Sequence, residues 1–224
     1  AAWTLAQNGI PVTLWEMKPQ KFSPAHHSPD FAELICSNSF KASRLESAAG
    51  LLKAEMERLG SLCVPCAKET AVAAGGALAV DRDRFSALVT EKIRNHPLIT
   101  VREGEVTEIP DGNVIIATGP LTSEALSAAI GELISAEYLS FFDAAAPIVE
   151  ASSIDMDKVF FAARYGRGDD DYINCPFDKD GYEKFAEELA NAESVELKEF
   201  EKRDFKVYEG CMPIEVMARR GADT

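Results

Sequence analysis

A cysteine followed by three short polar residues is the part of the sequence best equipped for chemistry. In the stretch SPAHHSPDFAELICSNSFKA, residues 23–42, Cys36 precedes Ser37, Asn38 and Ser39. The chain has five cysteines, an odd number without the spacing of a disulfide framework, which fits a reducing compartment. Individual thiols can then be reactive, and the three polar side chains offer hydrogen bonds to a cofactor or a substrate.

The other cysteines and the histidines do not form a metal-binding pattern. Cys63 and Cys66 in CVPC have the spacing of a redox motif or of half a zinc site. A zinc site needs about four ligands, and no second CxxC or paired histidine motif supplies them. His26 and His27 are adjacent, so their side chains point in different directions. We predict no metal site, and inert buried thiols at Cys63, Cys66 and Cys175.

The composition is typical of an ordinary soluble globular protein. The chain has 224 residues, of which 46% are hydrophobic and 27% charged, enough for one large domain or two modest ones. No run reaches the roughly 18 apolar residues of a membrane span, and no leader precedes the first element, which predicts a cytoplasmic protein. The formal net charge of −14 excludes indiscriminate coating of nucleic acid, so a nucleic-acid partner needs a local basic patch.

The N-terminal residues predict the second half of a dinucleotide-binding βαβ unit. AAWTLAQNG is typical of a helix that ends at Gly9, and IPVTLWE alternates apolar residues in a strand that ends at Glu16. In such a unit the acid lies about 20 residues beyond a glycine-rich turn and hydrogen-bonds a ribose hydroxyl. Counting back places this turn before Ala1, so we expect a fragment that lacks the glycine loop.

Helices and strands alternate in the middle of the chain. AAGLLKAEMERLG predicts a helix that ends at Gly60 and packs one face into the core, formed by Leu51, Leu52, Met56 and Leu59. GGALAVDRDRFSALVTEKI predicts a short strand and then a helix that begins at Asp81 or Asp83. Its inward residues are Phe85, Leu88, Val89 and Ile93. A strand in ITVREGEVTEI follows.

The segment GNVIIATGP predicts an apolar strand that breaks at Ala117, Thr118 and Gly119. Glycine has no Cβ, so the backbone here can approach a cofactor closely, although a plain strand-to-loop turn explains the pattern equally well. The order of a strand ending in an acid, the VDRDRF helix and the VIIATG strand is that of flavoproteins with two dinucleotide-binding domains. We predict an α/β fold with a Rossmann-like FAD-binding domain over residues 1–120.

The character of the sequence changes after Pro120. A helix with Leu126, Ile130, Leu133 and Ile134 inward is followed by the short strand-like pieces VFFAARY and DYINCPF. The helix around GYEKFAEELANA is expected to pack one face over a small sheet, through Tyr182, Phe185, Ala186 and Leu189. We predict an inserted, smaller α+β subdomain over residues 121–224, itself incomplete.

Seven segments occur in an order that resembles a known enzyme family. They are PAHHSPDFAELICSNSF, GGALAVDRDRF, VIIATGPLTS, FFDAAAPIVE, SIDMDKV, YINCPF and EGCMPIEVMARRG. Together they resemble the folate- and FAD-dependent tRNA (uracil-5-)-methyltransferases of bacteria, the TrmFO/Gid family. The resemblance implies methylation of C5 of the T-loop uridine of tRNA, with carbon from methylenetetrahydrofolate and reducing equivalents from NAD(P)H through FAD. It implies tRNA and folate as partners, but no membrane and no specific protein.

The family continues beyond Thr224, so the resemblance implies that this chain is about half an enzyme. We expect such a fragment to be inactive and to contain no FAD, because the turn and helix N-terminus that hold the pyrophosphate are missing.

The resemblance also assigns the site residues. Uracil C5 is a poor nucleophile, so a thiolate must add to C6 while a second group removes the C5 proton. We predict Cys211 as the nucleophile, since a thiol on a separate element can close over a flipped base, and Cys36 as the group that handles the proton. The predicted cofactor-binding residues are Glu16, Lys18, Ser37, Asn38, Ser39, Gly76, Val106, Thr118 and Gly119.

Two alternatives keep the fold without the methyl transfer. One is a flavin-binding NAD(P)H oxidoreductase or tRNA-binding module, in which Cys36 and Cys211 would be dispensable. The other is the flavoprotein that modifies the wobble uridine of tRNA, and the strings CSNS and GCMP argue against it.

Overall fold

The structure is a computed structural model that describes residues 1–23, 25–134, 149–163, 166, 168–194 and 214–221. Its helices are α1 Ala2–Gln7, α2 Ala48–Arg58, α3 Cys63–Glu69, α4 Arg82–Arg94, α5 Glu124–Ile134, α6 Lys179–Asn191 and α7 Ile214–Ala218. Its strands are β1 Val12–Glu16, β2 Ser39–Ala42, β3 Ala71–Val72, β4 Ala77–Val80, β5 Ile99–Glu103, β6 Phe160–Ala162 and β7 Tyr172–Asn174. No helix within these ranges is long and apolar enough to cross a bilayer.

A parallel strand pair carries the N-terminal unit. Strand β1 pairs with β5 in register from Val12 opposite Ile99 to Glu16 opposite Glu103. Parallel strands require a long crossover, and here it contains α2, α3 and α4. The predicted helix, glycine, strand and acid are therefore confirmed, as is the mixed α/β class.

A second, antiparallel sheet lies inside this crossover. Its strand order is β2-β4-β3, with β4 in the centre. Strand β4 is largely buried because helix α3 packs on it, and the centre of the core holds Cys66, Val80 and Phe85. Phe40 on β2 meets Phe85 edge to face, with ring centroids 5.3 Å apart. This sheet joins the Cys36 segment to the core.

Helix α4 follows its sequence prediction. The side chain of Asp81 caps the helix by accepting a hydrogen bond from the backbone N–H of Arg84 at 3.1 Å. The predicted inward side chains Phe85, Val89 and Ile93 are buried, and Leu88 packs against the same core.

The predicted core face of α2 is wrong. The helix forms, but its four apolar side chains are exposed, namely Leu51, Leu52, Met56 and Leu59. The helix faces β2 with its other side, where Gly50 is buried and the Lys53 ammonium donates to the Phe40 carbonyl at 2.7 Å. The periodicity of the sequence identifies the apolar side of a helix, but it does not show whether another segment packs against that side.

The strand predicted in GNVIIATGP does not form. Residues 113–118 have no strand pairing, and Val114, Ile115 and Ile116 are exposed. A strand is stable only beside a hydrogen-bonding partner, and no described strand lies alongside this segment.

The described residues of the second half form a hairpin and three α-helices. The strand-like pieces predicted in VFFAARY and DYINCPF form β6 and β7, and the structure pairs these strands antiparallel. Helix α5 forms with Leu126 buried, whereas Leu133 and Ile134 are exposed, so the inward placement of these two is wrong. Helix α6 forms but packs mainly against α7 rather than over the small sheet.

Candidate functional site

Cys36 lies on the surface at the end of a loop that enters β2. Its thiol is exposed, as a reactive thiol requires. The Ser37 hydroxyl accepts a hydrogen bond from the backbone N–H of Ser39 at 3.1 Å, and the Ser39 hydroxyl accepts one from the N–H of Lys41 at the same distance. Both serine oxygens therefore shape the loop, while their own O–H groups remain available to donate.

Asn38 anchors this loop to the centre of the antiparallel sheet. Its side-chain amide donates to the Val80 carbonyl at 2.9 Å, and its own carbonyl accepts from the Val80 N–H at 3.0 Å. Val80 is completely buried. The amide of Asn38 therefore holds the Cys36 segment in place, and a contact of Asn38 with the cofactor stays a prediction.

The backbone beyond the loop is strained. Lys41 has φ = 63°, in the left-handed region, and the β2–β4 register shifts between Ser39 and Ala42. Such a conformation costs a non-glycine residue about 1–3 kcal/mol and is found at functional sites. Burial lowers the pKa of Lys53, which holds the strained strand by its bond to the Phe40 carbonyl.

Glu16 and Lys18 lie at the carboxyl end of β1. The Glu16 Oε1 atom accepts from the Lys18 N–H at 3.0 Å, and its Oε2 atom makes no hydrogen bond to a described residue. The Lys18 side chain is only 4% exposed, donates to the Asp30 carbonyl and pairs with Glu33 Oε2 at 3.5 Å. Its ammonium is thus engaged within the protein, and cofactor binding by Lys18 remains a prediction.

Glu33 closes the loop that precedes Cys36. Burial raises the pKa of its carboxyl, but the N–H groups of His27 and Ser28 and the Lys18 ammonium together hold the pKa below its usual value. Burial and the same ammonium lower the pKa of His26, whose Nδ1 lies 2.6 Å from the Ser23 hydroxyl. The histidines therefore belong to the loop structure.

Thr118 and Gly119 begin a single 3₁₀ turn, Gly119–Leu121. Gly119 has φ = +70° and open space where a Cβ would stand. The hydroxyls of Thr118 and Thr122 are 2.6 Å apart. The backbone here is open to a ligand, and its contact with a cofactor stays a prediction.

Gly76 and Val106 complete the predicted cofactor set. The Gly76 carbonyl accepts from the N–H of Ser43 at 3.0 Å and from its hydroxyl at 3.2 Å, so the Gly76 turn is tied to the loop after β2. Val106 is half-buried in an irregular segment after β5. Glu16, Thr118 and Gly119 share no hydrogen bond with the Cys36 segment within the described ranges.

The other cysteines differ in their exposure. Cys211 lies outside the described residues. Cys66 is completely buried and Cys63 half-buried, and burial raises the pKa of both thiols, which lowers the fraction present as thiolate. Cys175 is exposed, so its predicted burial is wrong, because it follows β7 at the edge of a two-stranded hairpin with little to cover it.

No metal site is formed by the residues that the structure places. Among them, no group of three or more His, Cys, Asp or Glu side chains could hold an ion.

The sequence reasoning missed a contact between the two halves of the chain. The Gly75 N–H donates to Asp171 Oδ2 at 2.7 Å, and the Tyr172 hydroxyl donates to the Ala74 carbonyl at 3.0 Å. Asp171 and Tyr172 belong to the sequence RGDDDY, which has the composition of a solvated loop. No local signal distinguishes it from any other acidic turn.

The residues at the end of β1 fit a dinucleotide cofactor. Glu16 ends a parallel strand, where nucleotides bind in open α/β sheets, and its unbonded Oε2 can accept a ribose hydroxyl. The exposed backbone at Gly119 and the serine hydroxyls beside Cys36 offer further polar contacts. A bound FAD would be held by these groups.

Comparisons with known proteins match the whole chain. The model of the family described as glucose inhibited division protein A matches residues 1–224. Relatives named methylenetetrahydrofolate--tRNA-(uracil-5-)-methyltransferase TrmFO are 58% identical over 224 residues in Bacillus licheniformis and 57% identical over 224 residues in Bacillus subtilis. A relative of that name in Geotalea uraniireducens is 60% identical over 226 residues. Each comparison covers 100% of this chain and 51% of the relative, so the chain spans about half the length of these proteins.

Proposed function

Because the chain belongs to the glucose inhibited division protein A family, we propose that it is part of a folate- and FAD-dependent tRNA (uracil-5-)-methyltransferase. The identity of 57–60% over the whole chain to relatives of that name carries the proposal. The exposed thiol of Cys36, on a loop that is anchored to the antiparallel sheet, supports it. The substrate is the T-loop uridine of tRNA, and the protein acts in the cytoplasm.

The two predicted domains have different roles in this proposal. Residues 1–120 form the FAD-binding domain and residues 121–224 the inserted subdomain, so Cys36 and Cys211 approach the uridine from different domains. When bound, FAD and methylenetetrahydrofolate supply the one-carbon unit and its reduction with electrons from NAD(P)H. The cofactor is held by the predicted set around Glu16, Gly76, Val106, Thr118 and Gly119, together with Lys18 and the polar residues after Cys36.

The thiols of the chain make the uracil reactive. The Cys211 thiolate adds to C6, which forms an S–C bond and moves the electron pair to C5. After C5 has bonded to the new carbon, the Cys36 thiolate removes the C5 proton. The electron pair of the C5–H bond then restores the C5–C6 double bond and expels the Cys211 thiolate. Cys211 is thus released as a thiolate, while Cys36 ends as a thiol and must give its proton to solvent before the next turnover.

Trapping with tRNA that contains 5-fluorouracil tests this assignment. The experiment uses a full-length protein, meaning one that has the length of the relatives and contains these 224 residues. Fluorine at C5 blocks the final proton removal, so a covalent adduct should accumulate. The Cys36→Ala variant should form the adduct and the Cys211→Ala variant should not. An adduct in Cys211→Ala and none in Cys36→Ala would reverse the two roles, and no adduct in the wild type would contradict the proposed chemistry.

A further inference from the structure

The hairpin of the second half docks on a glycine turn of the first half. This hairpin consists of β6, β7 and the described residues between them, which are 163, 166 and 168–171. Asp171 and Tyr172 each make a hydrogen bond to the backbone of the turn, at Gly75 and Ala74. The bonded residues are 96 and 98 positions apart in the sequence, so the two hydrogen bonds are long-range tertiary contacts.

Gly168, which precedes β7, allows the backbone of the hairpin to lie close to the backbone of the glycine turn. Gly168 has φ = +90°, and a Cβ built on it would lie 2.4 Å from the Gly76 backbone nitrogen and 2.7 Å from the Gly75 carbonyl carbon. Both the backbone conformation and the missing space exclude any other residue. Two backbones therefore meet here with no side chain between them, which fixes the separation of the hairpin and the turn.

The glycine turn is itself fixed to the Cys36 segment. The Gly76 carbonyl accepts two hydrogen bonds from Ser43, which follows β2. The turn leads directly into β4, and β4 pairs with β2 and bonds to Asn38. The hairpin thus docks on the same hydrogen-bonded unit that holds the Cys36 loop.

We propose that Gly168, Asp171 and Tyr172 are positioning residues for methyl transfer. They fix the hairpin on the hydrogen-bonded unit that carries the Cys36 loop, and so keep the Cys36 thiol in place at the uridine. This inference rests on the proposed function. Reaction steps on the flavin alone do not need the Cys36 thiol, so disrupting the contact should affect methyl transfer selectively.

The first test measures the contact itself, independently of activity. In the 224-residue chain, Asp171→Ala removes the acceptor of the Gly75 N–H, so hydrogen–deuterium exchange at Gly75 should become faster. Asp169→Ala is the matched control, since it removes the same charge two residues away from a side chain that makes no hydrogen bond to a described residue. Unchanged exchange at Gly75 in Asp171→Ala would contradict the docking.

The second test measures the consequence in the full-length protein. Misplacement of reacting groups by about 1 Å can reduce a rate about 100-fold, so Asp171→Ala and Gly168→Ala should lower kcat for 5-methyluridine formation by about 10- to 100-fold. In Asp171→Ala, which introduces no clash, FAD content, melting temperature and NAD(P)H oxidation without tRNA should stay close to those of Asp169→Ala. Asp171→Asn should restore most of the rate, because its amide oxygen can still accept from Gly75.

The outcomes separate the two proposals. A wild-type protein that forms no 5-methyluridine contradicts the proposed function, while the exchange experiment still reports on the docking. A wild-type protein that methylates, together with Asp171→Ala and Tyr172→Phe variants that methylate equally fast, contradicts the positioning role. If the variants lose FAD and thermal stability in parallel with the rate, and the mild Tyr172→Phe variant does so as well, then the residues have a purely structural role. This outcome also contradicts the positioning role.

Discussion

Replacing Asn38 by alanine tests whether this side chain holds the Cys36 loop to the fold. The substitution removes the 2.9 Å hydrogen bond to the Val80 carbonyl. Because Val80 is completely buried, its carbonyl then lacks the side-chain donor that it has in the wild type. An unsatisfied buried acceptor costs about 1–3 kcal/mol. The main-chain bond between the two residues remains, so we expect a loss near the middle of this range, about 2 kcal/mol.

Urea unfolding of the chain followed by tryptophan fluorescence measures this loss. The Ser37→Ala variant is the control, because it removes an exposed bond one residue away and should change the free energy of unfolding by only about 0.5 kcal/mol. Asn38→Asp places a carboxylate opposite the Val80 carbonyl, so it should destabilise more than alanine at pH 7 and recover when the acid is protonated. Equal stabilities of Asn38→Ala and Ser37→Ala would refute the anchoring role.

Three further predictions concern the surroundings of this loop. Gly50→Ala should destabilise the chain by about 1–3 kcal/mol, instead of giving the usual gain in a helix, because the new Cβ would lie 1.8 Å from the Arg44 carbonyl oxygen; an unchanged or higher urea midpoint would contradict this packing. The pKa of Glu33 is held low in the folded chain, so the ionised carboxylate stabilises the fold at neutral pH. This stabilisation is lost as the pH falls below the ordinary pKa of 4.5 and then through the lowered pKa of the folded state. Glu33→Gln should therefore be less stable than the wild type at pH 7 and approach it once the pH falls below the lowered pKa, in acid titrations of the unfolding free energy, whereas a constant difference would be inconsistent with the charged contact. A thiol reagent should modify exposed Cys36 in the folded chain but buried Cys66 only after unfolding, and equal rates for the two would contradict their placement.

The sequence predicts the elements that local patterns determine. Strand β1 has strict alternation and helix α4 has both a cap at Asp81 and a 3.6-residue apolar period, and both form as expected. These signals act over a few residues, so neighbouring side chains suffice to specify them. The candidate site cysteine, Cys36, which is exposed, could also be found locally, from the small polar residues that follow it.

Features that depend on distant segments could not be predicted. The apolar face of α2 and the apolar segment at Val114–Ile116 both indicate burial, but the pattern does not show what would cover them. The role of Asn38 depends on β4, which lies 42 residues away in the sequence. The contact of Asp171 with the glycine turn depends on a still longer separation, and its acidic loop carries no apolar period that would predict docking.

The source of the methyl carbon tests the central claim most directly. The full-length protein is incubated with ¹³C-labelled methylenetetrahydrofolate, NAD(P)H and a tRNA transcript, and the nucleosides of the digested tRNA are measured by mass spectrometry. We predict ¹³C-labelled 5-methyluridine in the T loop, and none when Cys36 and Cys211 are both replaced by alanine. Oxidation of NAD(P)H without any labelled nucleoside would contradict the proposed methyl transfer and favour a flavin-dependent oxidoreductase.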